Sequence, residues 1–305
     1  MKAEVFRDLL KELNNGNTAE LEISAQGAAY TRKFAPVDRL ILLGCGHVSQ
    51  AVSRMAALLD FTITAVDDRP EFANHERFPD AYEIICDSFE SAIKRLCIRP
   101  KDYVCVLTRG HRWDEECVRS ILNGENMPYY FGMIGSRRRV SGLLKNLRED
   151  GYPDELLHQL HAPIGLDIGG VTPAEIALSI CAEMVQMRSK RISQSDASAL
   201  RQTNTDMDML SYAANSSEPR AMLLVLSSDG STPVKSGSLM VVNALGKGRG
   251  TIGGGCSEAA AVNKARRLIG SGESKIIDFD MSAEVAAENG LVCGGRMTVL
   301  IDDIT

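Results

Sequence analysis

Apolar positions along this chain change period several times, and each change marks an element. Residues 2–14 place Val5, Leu9, Leu10 and Leu13 at helical spacing, and the polar run Asn14-Asn15-Gly16-Asn17 ends that helix. From Leu40 a different rhythm begins. The unbroken run Leu40-Ile41-Leu42-Leu43 predicts a buried strand, Gly44-Cys45-Gly46 a sharp turn, and residues 48–60 an amphipathic helix. Further strands are predicted at 61–66, 82–87, 103–108 and 129–134, with helices at 88–97, 113–123 and 136–150. Strands separated by single helices require right-handed crossovers, and hence a parallel sheet covered on both faces.

A last helix of this region opens at Val171. Thr172 is placed to cap it, Pro173 occupies its first position, and Glu175 completes a capping box. Residues 192–219 are polar, rich in Ser and Asn, and poorly periodic, so they read as a flexible linker. Beyond it come strand patterns at 221–227, 238–244, 275–280 and 296–303, interrupted by one helix at 257–269. The expected fold class is therefore α/β: a Rossmann-like doubly wound parallel sheet plus a second, smaller α+β domain. The expected division is an N-terminal extension at 1–37, the Rossmann-like domain at 38–191, the linker at 192–219 and the small domain at 220–305.

Composition narrows the function classes. Hydrophobic residues make up 44% and charged residues 24%, a normal globular balance. A formal net charge of -6 disfavours nucleic acid as a partner. No apolar run approaches the roughly 20 residues that span a bilayer, and the first residues lack a signal-peptide core, which points to the cytoplasm. The eight cysteines include no C-x-x-C pair, and Cys86, Cys97, Cys105 and Cys181 fall on or beside apolar segments, so reduced thiols are expected.

The candidate chemistry sits at turns. Gly44-Cys45-Gly46-His47-Val48-Ser49 lies between strand and helix. Gly44 would permit the tight turn and Gly46 the close approach of a pyrophosphate, with the helix N-terminus supplying free N–H groups. Ser49 replaces the third glycine of that fingerprint, and Asp67 ends the second strand, where a carboxylate grips ribose hydroxyls. His47, in the first helical turn, could donate to a ligand oxygen or cap local backbone. Arg109 and His111 follow the strand at 103–108, and Ser136 and Arg137 follow the one at 129–134. Both loops would thus point at the Gly44 turn and form an anion cradle. For the arginines at 137–139 the expectation is one facing the site and two facing water. In the second unit, Gly253 and Gly254 precede a helix and offer backbone N–H groups to an anion, while Cys256 and Cys293 are glycine-flanked thiols. The structural alternative is that these glycines simply make tight hairpins. No Walker A loop and no His cluster with metal-ligand spacing is present, and no metal site is expected.

These strings, taken together, resemble the XdhC/CoxI family. The resemblance rests on GCGHVSQAV, VDDRPEFANHERFP, TRGHRWDEE, FGMIGSRRRV and HAPIGLDIGGVTPAEIALSICAE. In the second unit it rests on GSTPVKSG, GTIGGGCSE and VCGGRMTVLI. It covers about residues 38–188 and 222–302. The family usually places the cysteine-bearing domain first, and this chain reverses the order. The resemblance implies a maturation factor that binds the molybdenum cofactor (molybdopterin, in its plain or a dinucleotide form). Such a factor protects the cofactor during sulfuration and inserts it into a xanthine dehydrogenase-type molybdenum hydroxylase apoenzyme. It further implies a cysteine desulfurase as a second partner, a homodimer, and Cys256 and Cys293 as the residues that handle sulfur and molybdenum. Two other functions fit the residues: an NAD(P)-dependent oxidoreductase, and a sulfurtransferase carrying a persulfide.

Overall fold

The computed structural model describes residues 3–193, 200, 205–230, 235–280 and 295–305. It divides into two compact units, Val37–Ser193 and a discontinuous one formed by Met1–Pro36 with Gln194–Thr305. The chain opens with α1 (Ala3–Asn14) and an antiparallel hairpin, β1 (Ala19–Ala25) and β2 (Ala28–Phe34), which belong to the discontinuous unit.

The continuous unit is a three-layer α/β sandwich. Its elements are β3 (Arg39–Leu43), α2 (His47–Leu58), β4 (Thr62–Asp67), β5 (Glu83–Cys86), α3 (Phe89–Leu96), β6 (Tyr103–Val106) and α4 (His111–Leu122). They continue with β7 (Tyr130–Met133), α5 (Arg137–Glu149), α6 (Asp154–Leu157), β8 (Leu160–His161) and α7 (Pro173–Ser193). All pairings are parallel and the strand order is β5-β4-β3-β6-β7-β8. That order reverses direction between β3 and β6, which opens a crevice at the carboxyl ends of those two strands. Alternate residues of β3 explain the two-sided core: Ile41 and Leu43 pack toward α3, α4 and α5, while Leu40 and Leu42 pack toward α2 and α7. Helix α7 begins as its sequence directs. Thr172 Oγ1 accepts the Glu175 N–H at 3.3 Å, and the Glu175 carboxylate accepts the Val171 and Thr172 N–H groups.

After α7 come α8 (Met207–Asn215), β9 (Arg220–Gly230), β10 (Leu239–Asn243), β11 (Gly248–Gly250), α9 (Gly255–Leu268), β12 (Ser274–Asp280) and β13 (Gly295–Asp303). The strands form an antiparallel sheet in the order β11-β10-β9-β13-β12. One face packs on α9 through Ala261, Ala265 and Leu268. The other packs on α1, α8 and the β1–β2 hairpin.

Two sequence-based boundaries therefore change. The first 36 residues are no extension, because Phe6, Leu9, Leu21 and Ile23 share a core with Met222, Leu224 and Leu300. Part of the expected linker is helix α8, which buries Met209, Leu210, Ala213 and Ala214 in that same core. The structure also adds strands that the periodicity did not predict: the β1–β2 hairpin, whose β1 alternates buried and exposed residues throughout, the two-residue edge strand β8, and the three-residue edge strand β11. Cys86 and Cys97 are exposed rather than packed, whereas Cys45, Cys105, Cys117 and Cys181 are buried free thiols.

Candidate functional site

The crevice at the β3–β6 switch point begins with Gly44. Its φ of +103° is the left-handed region, and a Cβ there would lie 2.5 Å from the Leu107 carbonyl oxygen. Gly44 thus lets β3 turn tightly against β6 while its N–H donates to the Val66 carbonyl at 2.8 Å. Ser49 is buried and its hydroxyl donates back to the Gly44 carbonyl, so the residue in the third-glycine position ties helix to turn. Gly46 plays a different part. It is the N-cap of α2, no side chain caps the helix there, and a Cβ on it would meet nothing within 4 Å. The N-terminal N–H groups of α2, with the positive end of its dipole, open into a cavity of about 320 Å³. His47 is exposed on its wall, with Thr108, Arg109, Ile134 and Pro173 opposite. Cys45 is fully buried, and burial followed by the neighbouring Asp67 carboxylate pushes its thiol far above the usual range. It is a packing residue.

Asp67 stands where expected, at the end of β4, but its oxygens are engaged. Oδ2 accepts the Cys45 N–H at 2.8 Å and Arg69 Nη2–H at 3.1 Å. Oδ1 accepts Arg69 Nε–H at 2.9 Å and the Arg69 backbone N–H at 3.1 Å. Arg69 in turn stacks on Phe72, its guanidinium carbon 3.7 Å from the ring centroid. The expected ribose grip is accordingly not formed by this side chain as it stands. Arg109 lies beside it, donating to both oxygens of Asp68 and stacking on Trp113 at 3.9 Å. That hydrogen-bonded partner holds the Asp68 carboxyl below its ordinary range.

Helix α4 starts at a second glycine without a side-chain cap, Gly110. Thr108 donates its hydroxyl to the buried Asp114 carboxylate at 2.5 Å, and Arg139 forms an ion pair with the same group. Burial leaves Asp114 above the usual carboxylate range despite these two partners. Arg139 is therefore the inward member of the arginine run, but it turns to Asp114 and does not line the cavity. Arg137, the residue chosen from the sequence, is 89% exposed, faces Asp167 at 3.7 Å and does not line the cavity. The reason is helical geometry: Ser136 caps α5 by accepting the Arg139 N–H at 3.3 Å, which directs the first helical residue outward. His111 is half exposed, with Nδ1 at 4.0 Å from Glu115 on the same helix.

A cluster that the sequence motifs do not announce lies at the sheet edge. Glu183 of α7 accepts the Tyr130 hydroxyl at 2.5 Å and the Gly165 N–H at 2.8 Å, and sits 2.9 Å from His161 Nδ1. Burial raises the Glu183 pKa, but the bonds from His161, Tyr130 and Gly165 outweigh it and leave the net shift downward. An ionised carboxylate only accepts, so Nδ1 of His161 carries the proton. The signal was the pairing of His161 with the acidic residue on the inner face of α7, and the two are too far apart in the chain to form a local motif.

In the discontinuous unit the glycine run behaves unlike an empty anion cradle. Glu258, in the first turn of α9, accepts the N–H groups of Ile252 at 2.9 Å and Gly254 at 3.1 Å, and the Thr251 hydroxyl at 2.6 Å. The chain's own carboxylate fills the backbone nest that Gly253 and Gly254 help to shape, Gly254 at φ +72°.

With this geometry in hand, comparison with known proteins is decisive for kinship. Residues 40–184 match the family described as the XdhC Rossmann domain, and residues 213–280 match the XdhC and CoxI family. The chain belongs to the XdhC/CoxI family. It is 39% identical over 152 residues to the uncharacterized protein YqeB of Escherichia coli, covering 50% of this chain and 27% of that one. It is 29% identical over 161 residues to a Bacillus subtilis protein named as a probable xanthine dehydrogenase subunit, covering 53% and 46% respectively. A crystal structure described as a xanthine dehydrogenase from Bacillus halodurans superposes with a TM-score of 0.50 and 31% identity, over 56% of this chain and 48% of that one. The matches thus span less than half the length of these relatives. In this XdhC/CoxI chain the Rossmann match precedes the other. Of the two cysteines that the resemblance singles out, Cys256 is the second residue of α9, and Cys293 lies outside the described residues.

Proposed function

We propose that this protein binds a phosphorylated molybdenum–pterin cofactor at the crevice of its Rossmann unit and serves as an accessory factor for a xanthine dehydrogenase-type molybdenum hydroxylase. The observation that carries the reading is the N-terminus of α2: uncapped by any side chain, fronted by Gly46 with free space around it, and open to the 320 Å³ cavity. A phosphate fits there because backbone N–H donors and the helix dipole both favour an anion. Arg109 and His47 on the walls would orient it. When bound, the cofactor would bring the metal and its exchangeable sulfur, and this chain would hold its phosphate end and shield it. The name of the Bacillus subtilis relative supports the choice of client enzyme, and family membership supports a cofactor-handling role. Sulfur handling by Cys256 and Cys293, a cysteine desulfurase partner and a homodimer belong to the same proposal.

The test is retention of molybdopterin by the purified protein on anaerobic gel filtration, read as pterin fluorescence after oxidation. Stoichiometric co-elution is expected for wild type and loss for a folded Gly46→Val variant, whose side chain would fill the space the phosphate needs. Free elution with wild type, or equal retention by Gly46→Val, would refute the reading.

A further inference from the structure

Rossmann crevices ordinarily take a nucleotide whose vicinal ribose hydroxyls donate to the carboxylate ending the second strand. We infer that in this protein Arg69 closes that half-site, so that the crevice excludes ribose-diol dinucleotides and takes a phosphate ester lacking them. The inference rests on the crevice being the ligand site, and it names the ligand class.

The argument is one of acceptor capacity. A carboxylate offers about four lone-pair positions. Asp67 is 1% exposed and already receives four N–H donors, one from Cys45 and three from Arg69. A diol could donate to it only by removing the Arg69 side chain, which is fixed as well by its stack on Phe72. The guanidinium that the diol meets instead accepts none of its hydroxyl protons, and the Nε–H and Nη2–H it could offer to hydroxyl oxygens are already given to Asp67. A 2′-phosphorylated ribose fares no better. Asp67 and Asp68 stand side by side at that position, and the Arg69 guanidinium, which could attract the phosphate, is already bonded to Asp67 through Nε and Nη2. The cavity volume, about 320 Å³, is at the small end of the roughly 300–1,000 Å³ usual for ligand pockets. What remains open is the phosphate end at α2.

The chain has a single tryptophan, and Trp113 sits under Arg109 beside this site, so its fluorescence reports on the crevice. Full-length wild type, Arg69→Ala and Asp67→Asn/Arg69→Ala would be titrated with NADH, NADPH and inorganic pyrophosphate, reading Trp113 quenching and energy transfer to the reduced nicotinamide. Thermal midpoints would establish that each variant is folded. Wild type should show no saturable binding of NADH or NADPH, and Arg69→Ala should gain NADH affinity by roughly tenfold or more, the worth of a recovered hydrogen bond to a charged group. The double variant should lose that gain, because the carboxylate is gone. Saturable NADH or NADPH binding by wild type would overturn the inference. So would a folded Arg69→Ala with no gain, or a double variant that keeps it. Failure of wild type to bind pyrophosphate would strike the phosphate-site reading instead, since the NADH comparison among variants is scored separately.

Discussion

Glu183 Oε1 lies 2.9 Å from His161 Nδ1, although 22 positions of sequence separate the two residues. The pair joins α7 to the last strand of the parallel sheet, and Tyr130 and the Gly165 N–H complete the set of donors around one partly buried carboxylate. Removing that carboxylate leaves three donors short of a partner. Glu183→Ala should cost roughly 1–3 kcal/mol of stability at neutral pH. Because the folded-state pKa of Glu183 is depressed, its contribution is fully present above the unfolded value and disappears as pH falls through the lower folded value. Denaturant unfolding of wild type and variant should converge below about pH 4. A gap that stays constant from pH 7 to pH 3 would show that the ionised form is not the stabilising one.

Gly44 and Gly46 are two residues apart and should respond oppositely. Gly44→Ala forces a Cβ against the Leu107 carbonyl at positive φ, and a loss of roughly 1–3 kcal/mol is expected. Gly46→Ala places its methyl in open space and should stay within about 0.5 kcal/mol of wild type. Chemical denaturation of the two variants checks this, and equal losses would contradict the division of labour between turn and ligand wall.

Arg109 and Arg137 should part company in binding. Arg109 lines the cavity and Arg137 is exposed outside it. Arg109→Ala is expected to weaken pyrophosphate binding by about tenfold and to make its salt dependence shallower. Arg137→Ala should leave both unchanged. Calorimetric titration at two ionic strengths distinguishes them.

Glu258 offers a second pH test. Burial raises its pKa, but the Thr251 hydroxyl and the Ile252, Gly254 and Gly253 N–H groups bring it below the ordinary value. Its stabilisation should therefore hold above about pH 4.5 and fade as pH falls. Glu258→Gln should cost about 1 kcal/mol at pH 7, the group being partly exposed, and nearly nothing at pH 3. Thermal unfolding across that range is the measurement.

What the sequence by itself determined is whatever depends on near neighbours. The strand run 40–43, the Gly44 turn and the Thr172–Glu175 capping box are local, because each is decided by sterics and hydrogen bonds within a few residues. The acidic residue at the end of β4 was legible for the same reason. Its occupancy was not. Arg69 is only two residues away, yet whether it turns back on Asp67 depends on Phe72 beneath it and on the Cys45 N–H from another strand's turn. Tertiary structure also decided that Arg139 rather than Arg137 faces inward, since the Asp114 carboxylate that selects it comes from α4. The N-terminal 36 residues had no local sign of their destination either. An amphipathic helix and an alternating hairpin declare that they need a core, but only the apolar face of a sheet formed much later in the chain says which one.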